Sequence, residues 1–247
     1  MQVYPTIGIK QVIRYEWMQH TVKLLLSGMK AKDIKKELEV YLSDKKGRGT
    51  SGDRANYTMS IAATILLHTW VTPNPRLMQF RDKLLSCINQ ESNEKACHWA
   101  MISSAYPFWF NISYLLGSLF KLQNQVKKTQ IMSRVYELYG ERNTVERCSR
   151  YVIRSLIAWD ILQDSEQPGC YIKGNETAIN DHTVASLLLE AALYATPAKM
   201  LSLASAIINP AFFIFTMPGI SSLQIQNNNN IIIENMSAND EFIRLKG

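Results

Sequence analysis

Residues 127–179 constrain the fold more than any other part of the chain, because helical and strand patterns follow one another there in a recognisable order. Gln130 to Tyr139 carries apolar residues at helical spacing, and Gly140 follows as glycine often follows a helix. After a short turn, a second helix is expected from Thr144 to Trp159. Two helices joined by so short a turn are typical of a helix-turn-helix.

The second helix has an apolar face and an arginine face. At about 100° per residue, its apolar residues fall within an arc of roughly 80°. These residues are Val145, Cys148, Val152, Leu156 and Trp159. Arg147, Arg150 and Arg154 stack along nearly the opposite side, where guanidiniums suit phosphate oxygens and the acceptor edge of guanine. The alternative is a solvated face whose arginines pair with Glu141 and Glu146.

A hairpin is expected after this helix. Pro168-Gly169 is a turn signal before the short strand Cys170–Ile172. Gly174-Asn175 is a hairpin-type turn before the return strand Thr177–Ile179. Such a hairpin would be the wing of a winged helix-turn-helix, with Lys173 at its tip against a phosphate backbone. Small winged domains also serve as protein-contact modules, so the predicted fold does not settle the function.

The positive charge of the chain is concentrated in its first half. Residues 1–130 contain 18 Lys or Arg against nine Asp or Glu, a net charge of +9, whereas residues 131–247 have a net charge of −3. A basic half favours an acidic partner such as double-stranded DNA. The candidate DNA contacts in the helix-turn-helix and wing are Arg142, Arg147, Arg150, Arg154 and Lys173. The candidate non-specific phosphate contacts are Lys32, Lys35, Lys36, Lys45, Lys46 and Arg48.

The pattern of apolar residues predicts a mainly α fold: a helical N-terminal region, then the winged helix-turn-helix, then a small α+β tail. The expected segments are 1–54 (a basic helical hairpin and a Gly-rich linker), 55–126 (a helical core region), 127–180 (the winged helix-turn-helix) and 181–247 (helices and a short β tail). Within the tail, the expected strands are Leu223–Ile225, Ile231–Ile233 and Phe242–Leu245, with Asn227–Asn230 as a turn.

No motif predicts catalysis. Gly47 to Gly52 formally matches the dinucleotide-binding pattern G-x-G-x-x-G, but it lacks the preceding strand and surrounding βαβ unit, so it is predicted to be a linker. The four histidines lack metal-ligand spacing, and no nucleophile, paired-carboxylate or P-loop motif is present. We therefore expect a protein that is not an enzyme and has no metal or cofactor site.

The sequence also predicts a cytoplasmic protein. Its four cysteines are widely spaced, which favours reduced core residues. Its N-terminus lacks the charged start and apolar run of a signal peptide. The apolar stretches Ala105–Phe120 and Met200–Ile233 are interrupted by proline, glycine and asparagine, so no membrane span is expected.

The run from QIMSRVYELYG through RYVIRSLIAWDIL to GCYIKG resembles winged-helix domains in accessory proteins of bacterial phage-defence islands. The group it resembles most specifically is the mostly helical DNA-binding accessory protein of BREX-type systems. The resemblance is one of layout and covers about 60 of the 247 residues. It implies a non-enzymatic, DNA-binding helper that works beside larger enzymes, with other subunits of a defence complex as further partners.

Two functions therefore stand as expectations. The first is a non-catalytic DNA-binding accessory protein of a phage-defence or regulatory system. The alternative is a structural or adaptor subunit of a multiprotein complex that uses its winged helix for protein contacts. The uncharged stretch from Met200 to Ile233 favours the alternative, because its apolar parts could form an interface.

Overall fold

The computed structural model describes residues 7–44, 53–198, 200–237 and 240–246, and Lys45, Lys46 and Arg48 lie outside these ranges. The described part is mainly helical. The α-helices are α1 Tyr15–Leu26, α2 Ala31–Asp44, α3 Asp53–Leu66, α4 Met78–Cys87, α5 Glu91–Ala105, α6 Pro107–Phe120, α7 Lys128–Tyr139, α8 Asn143–Ala158, α9 His182–Ala195, α10 Leu203–Ile207 and α11 Ser222–Gln226. The strands are β1 Gln125–Lys127, β2 Leu162–Asp164, β3 Cys170–Lys173, β4 Thr177–Ala178, β5 Leu201–Ser202, β6 Phe215–Thr216, β7 Ile231–Ser237 and β8 Asp240–Leu245.

Helices α5 and α9 form the centre of the fold. They pack against each other, and most of their residues are buried on all sides rather than along one face. Helix α6 follows α5 after a sharp break, because Pro107 has no backbone N–H and Tyr106 leaves the helical region at φ −132°. The Asp181 side chain caps α9 by accepting a hydrogen bond from Thr183 N at 2.8 Å.

Three small sheets lie around the helices. Strands β1, β3 and β2 form an antiparallel sheet in the order β1-β3-β2, β4 pairs in parallel with β6, and β5, β8 and β7 form a second antiparallel sheet. The strands expected at Ile231–Ile233 and Phe242–Leu245 are confirmed as parts of β7 and β8. The strand expected at Leu223–Ile225 is wrong, because a capping box at Ser221 and Gln224 begins α11 there.

An aromatic cluster joins the N-terminal region to the end of α8. The ring of Trp159 lies 5.3 Å from that of Tyr15 and 5.2 Å from that of Trp109. Its Nε1–H donates a 2.9 Å hydrogen bond to the carbonyl of Ile13, whose N–H donates to Ser155 Oγ at 2.9 Å. One continuous apolar core contains residues from all four of the predicted segments.

A buried carboxylate fixes the turn that contains the four asparagines. Glu190 of α9 is fully buried and accepts hydrogen bonds of 2.7 Å from Asn228 and from Asn230. Lys83 of α4 lies 3.2 Å from the same carboxylate and supplies the compensating charge. The predicted turn at Asn227–Asn230 thus leads into β7 and also satisfies Glu190.

The apolar stretches Ala105–Phe120 and Met200–Ile233, for which no membrane span is expected, form α6 and a series of shorter elements. Among the residues that the structure describes, no helix combines the length and apolar character needed to cross a bilayer.

Gly117 allows the close approach of α6 to the chain at Pro210, and we expect Gly117→Ala to destabilise the fold. A Cβ atom at this position would lie 1.8 Å from the Pro210 carbonyl oxygen. Overpacking of this kind costs about 1–3 kcal/mol, although alanine is otherwise the better helix former. Urea denaturation measures the change. Gly219→Ala is the control, because its Cβ would meet no atom within 4 Å; equal stability of the two variants would contradict the close approach.

Buried His98 should make stability fall in mildly acidic solution. Burial lowers the pKa of His98 from its usual 6.5, with the Glu94 carboxylate at 3.7 Å opposing the shift. The unfolded chain therefore binds the proton more readily than the folded chain, and stability declines as pH falls below about 6.5, by at most about 1.4 kcal/mol per pH unit. Urea midpoints between pH 7.5 and 5.5 should show this slope in the wild type and in His68→Gln, which alters an exposed histidine. A His98→Phe variant that keeps the full slope would refute the assignment.

Candidate nucleic-acid interface

Residues 125–173 cover most of the segment 127–180 that was predicted to be a winged helix-turn-helix, and they comprise two helices and a three-stranded sheet. We call residues 125–173 the helix-pair unit. Its elements follow α6 in the order β1, α7, α8, β2 and β3, and its sheet has the order β1-β3-β2. Helix α6 packs against both α7 and α8. The sheet closes one end of the helix pair, because β1 leads directly into α7 and β2 follows α8 after a short turn.

The turn between α7 and α8 depends on Gly140 and Arg142. Gly140 adopts φ +78°, a backbone conformation that costs glycine little. The Arg142 guanidinium donates a 3.0 Å hydrogen bond to the Tyr139 carbonyl at the end of α7. This carbonyl belongs to the last turn of a helix and has no partner within the helix. Arg142, predicted as a DNA contact, therefore has a structural role in this turn.

Helix α8 has the two faces that the sequence predicts. Val145, Cys148, Val152, Leu156 and Trp159 are all buried. Arg147, Arg150 and Arg154 are all exposed on the other side. The alternative pairing with Glu141 and Glu146 is not observed, since within the described part of the chain neither glutamate forms an ion pair with these arginines.

The three arginines differ in their surroundings. Arg154 lies 3.9 Å from the Asp164 carboxylate on β2, with both side chains more than half exposed. Such a surface pair contributes about 0–1 kcal/mol, so it can open without much loss. Arg147 and Arg150 form no ion pair within the residues that the structure describes. They are therefore the two cations of α8 whose charge no neighbouring carboxylate offsets.

The strand pairing of the predicted wing is wrong. Strand β3 pairs with β2, whereas Thr177–Ala178 pairs with β6. The turn expected at Gly174 is instead a close crossing: a Cβ there would lie 2.0 Å from the carbonyl oxygen of Asp160. The glycine signal thus reflects proximity of two backbones, which local sequence does not distinguish from a hairpin turn.

Lys173 consequently does not lie at a hairpin tip. It stands opposite Leu162 at the end of the β2–β3 ladder that is remote from the connecting loop, and its ammonium lies 3.6 Å from the Glu176 carboxylate. The loop between β2 and β3 contains the exposed Glu166 and no cation. Because Lys173 is not at a wing tip, the geometry does not support its predicted contact with a phosphate backbone.

Two lysines that the sequence analysis did not select lie beside the β2–β3 loop. Lys127 pairs with Cys170 in the β1–β3 ladder, and the Lys128 N–H donates a 2.8 Å hydrogen bond to the Gly169 carbonyl. Lys127 is exposed and Lys128 is half-buried at the start of α7. The only sequence signal was the Lys-Lys pair before an expected helix, at a helix end that attracts anions.

The candidate phosphate contacts of the N-terminal region lie on a different group of helices. Lys32, Lys35 and Lys36 are exposed on α2, whose opposite face buries Ile34, Leu38 and Leu42. Helix α2 packs against α1 and α3, whereas α8 packs against α6 and α7. The structure does not bring these lysines together with the arginines of α8 on one pair of helices.

The chain was compared with protein-family models, curated proteins and solved structures, and no match was found in any of the three comparisons.

Arg142 and Arg147 should respond differently to truncation. Arg142→Ala removes the hydrogen bond to the Tyr139 carbonyl, and we expect it to lower the free energy of unfolding by about 1 kcal/mol. Arg147→Ala removes an exposed side chain and should change it by less than about 0.5 kcal/mol. Urea denaturation of both variants compares the two positions. If Arg142→Ala were as stable as Arg147→Ala, the structural role of Arg142 would be excluded.

Proposed function

We propose that the protein is a non-catalytic DNA-binding accessory protein and that the helix-pair unit is a winged helix-turn-helix. The observation that carries the proposal is the exposed arginine face of α8, in the second helix of a short-turn helix pair. Such a helix enters or borders the major groove of duplex DNA in proteins of this type. Arg147 and Arg150 would contact base edges or phosphates there, and Arg154 would join them when its pairing with Asp164 opens.

The strand order supports the winged-helix interpretation. The order of elements is a helix, a strand, two helices and two strands, and the first strand lies beside the last. In this arrangement a sheet flanks a helix-turn-helix and projects a hairpin from it. Here the hairpin is β2–β3. The cations near its loop are Lys127 and Lys128 rather than Lys173, so we assign the flanking phosphate contacts to these two lysines.

The proposed setting is a cytoplasmic phage-defence or regulatory system, in which the protein would assist larger enzymes. The likeness in layout to BREX-type accessory proteins supports this setting. The four cysteines are free thiols, as expected in a reducing compartment. Lys32, Lys35 and Lys36 of α2 would add non-specific attraction to DNA by raising the positive potential of the N-terminal region.

An adaptor function is the second candidate, and an exposed apolar pair favours it. Leu122 is 83% exposed and Ile208 is 67% exposed. The Lys121 ammonium donates a 3.0 Å hydrogen bond to the Ile208 carbonyl, so the chain segments that carry the two residues are neighbours. This neighbourhood adjoins β1 of the helix-pair unit, so a protein partner could contact both.

Charge reversal on α8 tests the DNA-binding proposal. We expect the double variant Arg147→Glu, Arg150→Glu to bind duplex DNA at least about tenfold more weakly and to show a shallower dependence of affinity on salt. Fluorescence anisotropy across a salt series measures both quantities. The matched control is Lys23→Glu, Lys30→Glu, which makes the same change in net charge at exposed positions of another region.

Two outcomes would count against the proposal. Equal losses in the α8 variant and in the control would show that overall charge matters and that the α8 face does not. Absence of DNA binding by the wild type at low salt would favour the adaptor function. In that case Leu122→Glu should abolish co-purification of a protein partner in fixed stoichiometry, while Arg147→Glu, Arg150→Glu should leave it intact.

A further inference from the structure

A cleft of about 1000 Å³ opens where six parts of the fold meet. Its walls come from the residues around the start of α4, the α5–α6 junction, the end of α7, the end of α9 with the residues that follow, the turn before β7, and the end of β8. Its volume lies at the upper end of the range of small-molecule binding sites. The proposed contacts of α8 with DNA make no use of this cleft.

The charged side chains that line the cleft are all cations within the described part of the chain: Arg76, Arg244 and Lys246. Arg244 pairs with Glu234 on the neighbouring strand. Arg76 and Lys246 are exposed and form no ion pair among the residues that the structure describes. Cations that approach a cleft without a carboxylate in its lining favour an anionic ligand, and guanidinium suits phosphate in particular.

Aromatic rings form much of the remaining wall. Phe108 and Tyr139 pack edge to face, with their ring centroids 4.9 Å apart. The Arg76 guanidinium lies 6.0 Å from the centre of the Tyr194 ring, and Asn230 Nδ2 donates a 2.9 Å hydrogen bond to the Tyr194 hydroxyl. Phe108 and Tyr139 are buried, so the partly exposed rings of Tyr106 and Tyr194 are the aromatic surface that the cleft offers beside its cations.

Tyr106 and the start of α6 add polar groups to the same wall. Burial raises the pKa of Tyr106, so at neutral pH its phenol stays protonated and able to donate a hydrogen bond. Helix α6 begins at Pro107 without a side-chain cap, and its N-terminus contributes partial positive charge. Tyr106, Pro107 and Phe108 all line the cleft. The helix dipole thus adds to the field of the three cations.

We propose that this cleft binds a nucleoside phosphate, either free or at the end of a nucleic-acid strand. A nucleoside phosphate combines a flat base, which stacks on aromatic rings, with anionic oxygens, which pair with Arg76 and Lys246. An acidic peptide would satisfy the cations but would leave the aromatic wall without a matching group. The proposal does not depend on binding of duplex DNA by α8.

Calorimetric titration of the full-length protein tests the proposal with four probes: ATP, a 5′-phosphorylated single-stranded oligonucleotide, inorganic triphosphate and adenosine. We expect ATP or the oligonucleotide to bind more tightly than either triphosphate or adenosine alone. Preference for ATP would indicate a free nucleotide, and preference for the oligonucleotide a strand end. The variant Arg76→Ala, Lys246→Ala should weaken that binding by about tenfold or more, because it removes two charge-assisted contacts.

The control variants separate the cleft from other surfaces. Lys23→Ala, Lys30→Ala should leave affinity for the preferred probe unchanged, because these cations lie elsewhere. Arg147→Glu, Arg150→Glu should also leave it unchanged, so a failure of the cleft and a failure of the α8 interface can be told apart. The proposal is overturned if neither ATP nor the oligonucleotide binds, if triphosphate binds as tightly as ATP, if a polyglutamate peptide competes equally well, or if Arg76→Ala, Lys246→Ala changes nothing.

Discussion

The burial of Trp159 is the interaction on which the rest of the structure depends. Its indole packs against Tyr15 and Trp109 and donates a hydrogen bond to the Ile13 carbonyl, so three separate parts of the chain meet at one side chain. Large aromatic residues bury more surface than any other type and dominate core energetics. Because Trp159 directly follows α8, the same contact fixes the end of the helix that presents the arginines. The candidate interface is thus an extension of the core rather than an appended module.

The surface electrostatics of the helix-pair unit follow from how charges are sorted in space. Its sequence has nearly as many carboxylates as cations, yet in the described part of the chain Arg147 and Arg150 form no ion pair with Glu141 or Glu146. Asp164 lies on β2 and Glu166 in the loop that follows, where their negative charge lowers the electrostatic potential of that edge. Under the proposed function, the phosphate backbone would contact Arg147 and Arg150 on α8 and Lys127 and Lys128 at the start of α7.

The sequence predicted most of the elements but not the long-range pairings. Helical periodicity located α7, α8 and the buried face of α8 correctly, because that face repeats every three to four residues regardless of its surroundings. Neither the pairing of β3 with β2 nor that of β4 with β6 was predicted, and a two-residue strand such as β4 carries almost no sequence signal. The roles of Gly174, Asn228 and Asn230 could not be predicted either, because each depends on a contact with a residue elsewhere in the sequence. The cleft was missed for the same reason: Arg76 and Lys246 become neighbours only in the folded chain.

The hydrogen bond from Trp159 to Ile13 also limits when this part of the fold can form during synthesis on the ribosome. Its two ends are 146 residues apart, so Ile13 leaves the ribosome long before its partner exists. At typical rates of about 5–20 residues per second, the delay is roughly 7–30 seconds. During that time Ile13, which is completely buried in the finished protein, lacks this partner. The hydrogen bond that fixes Ile13 can therefore form only after α8 has been synthesised, although Ile13 precedes α1.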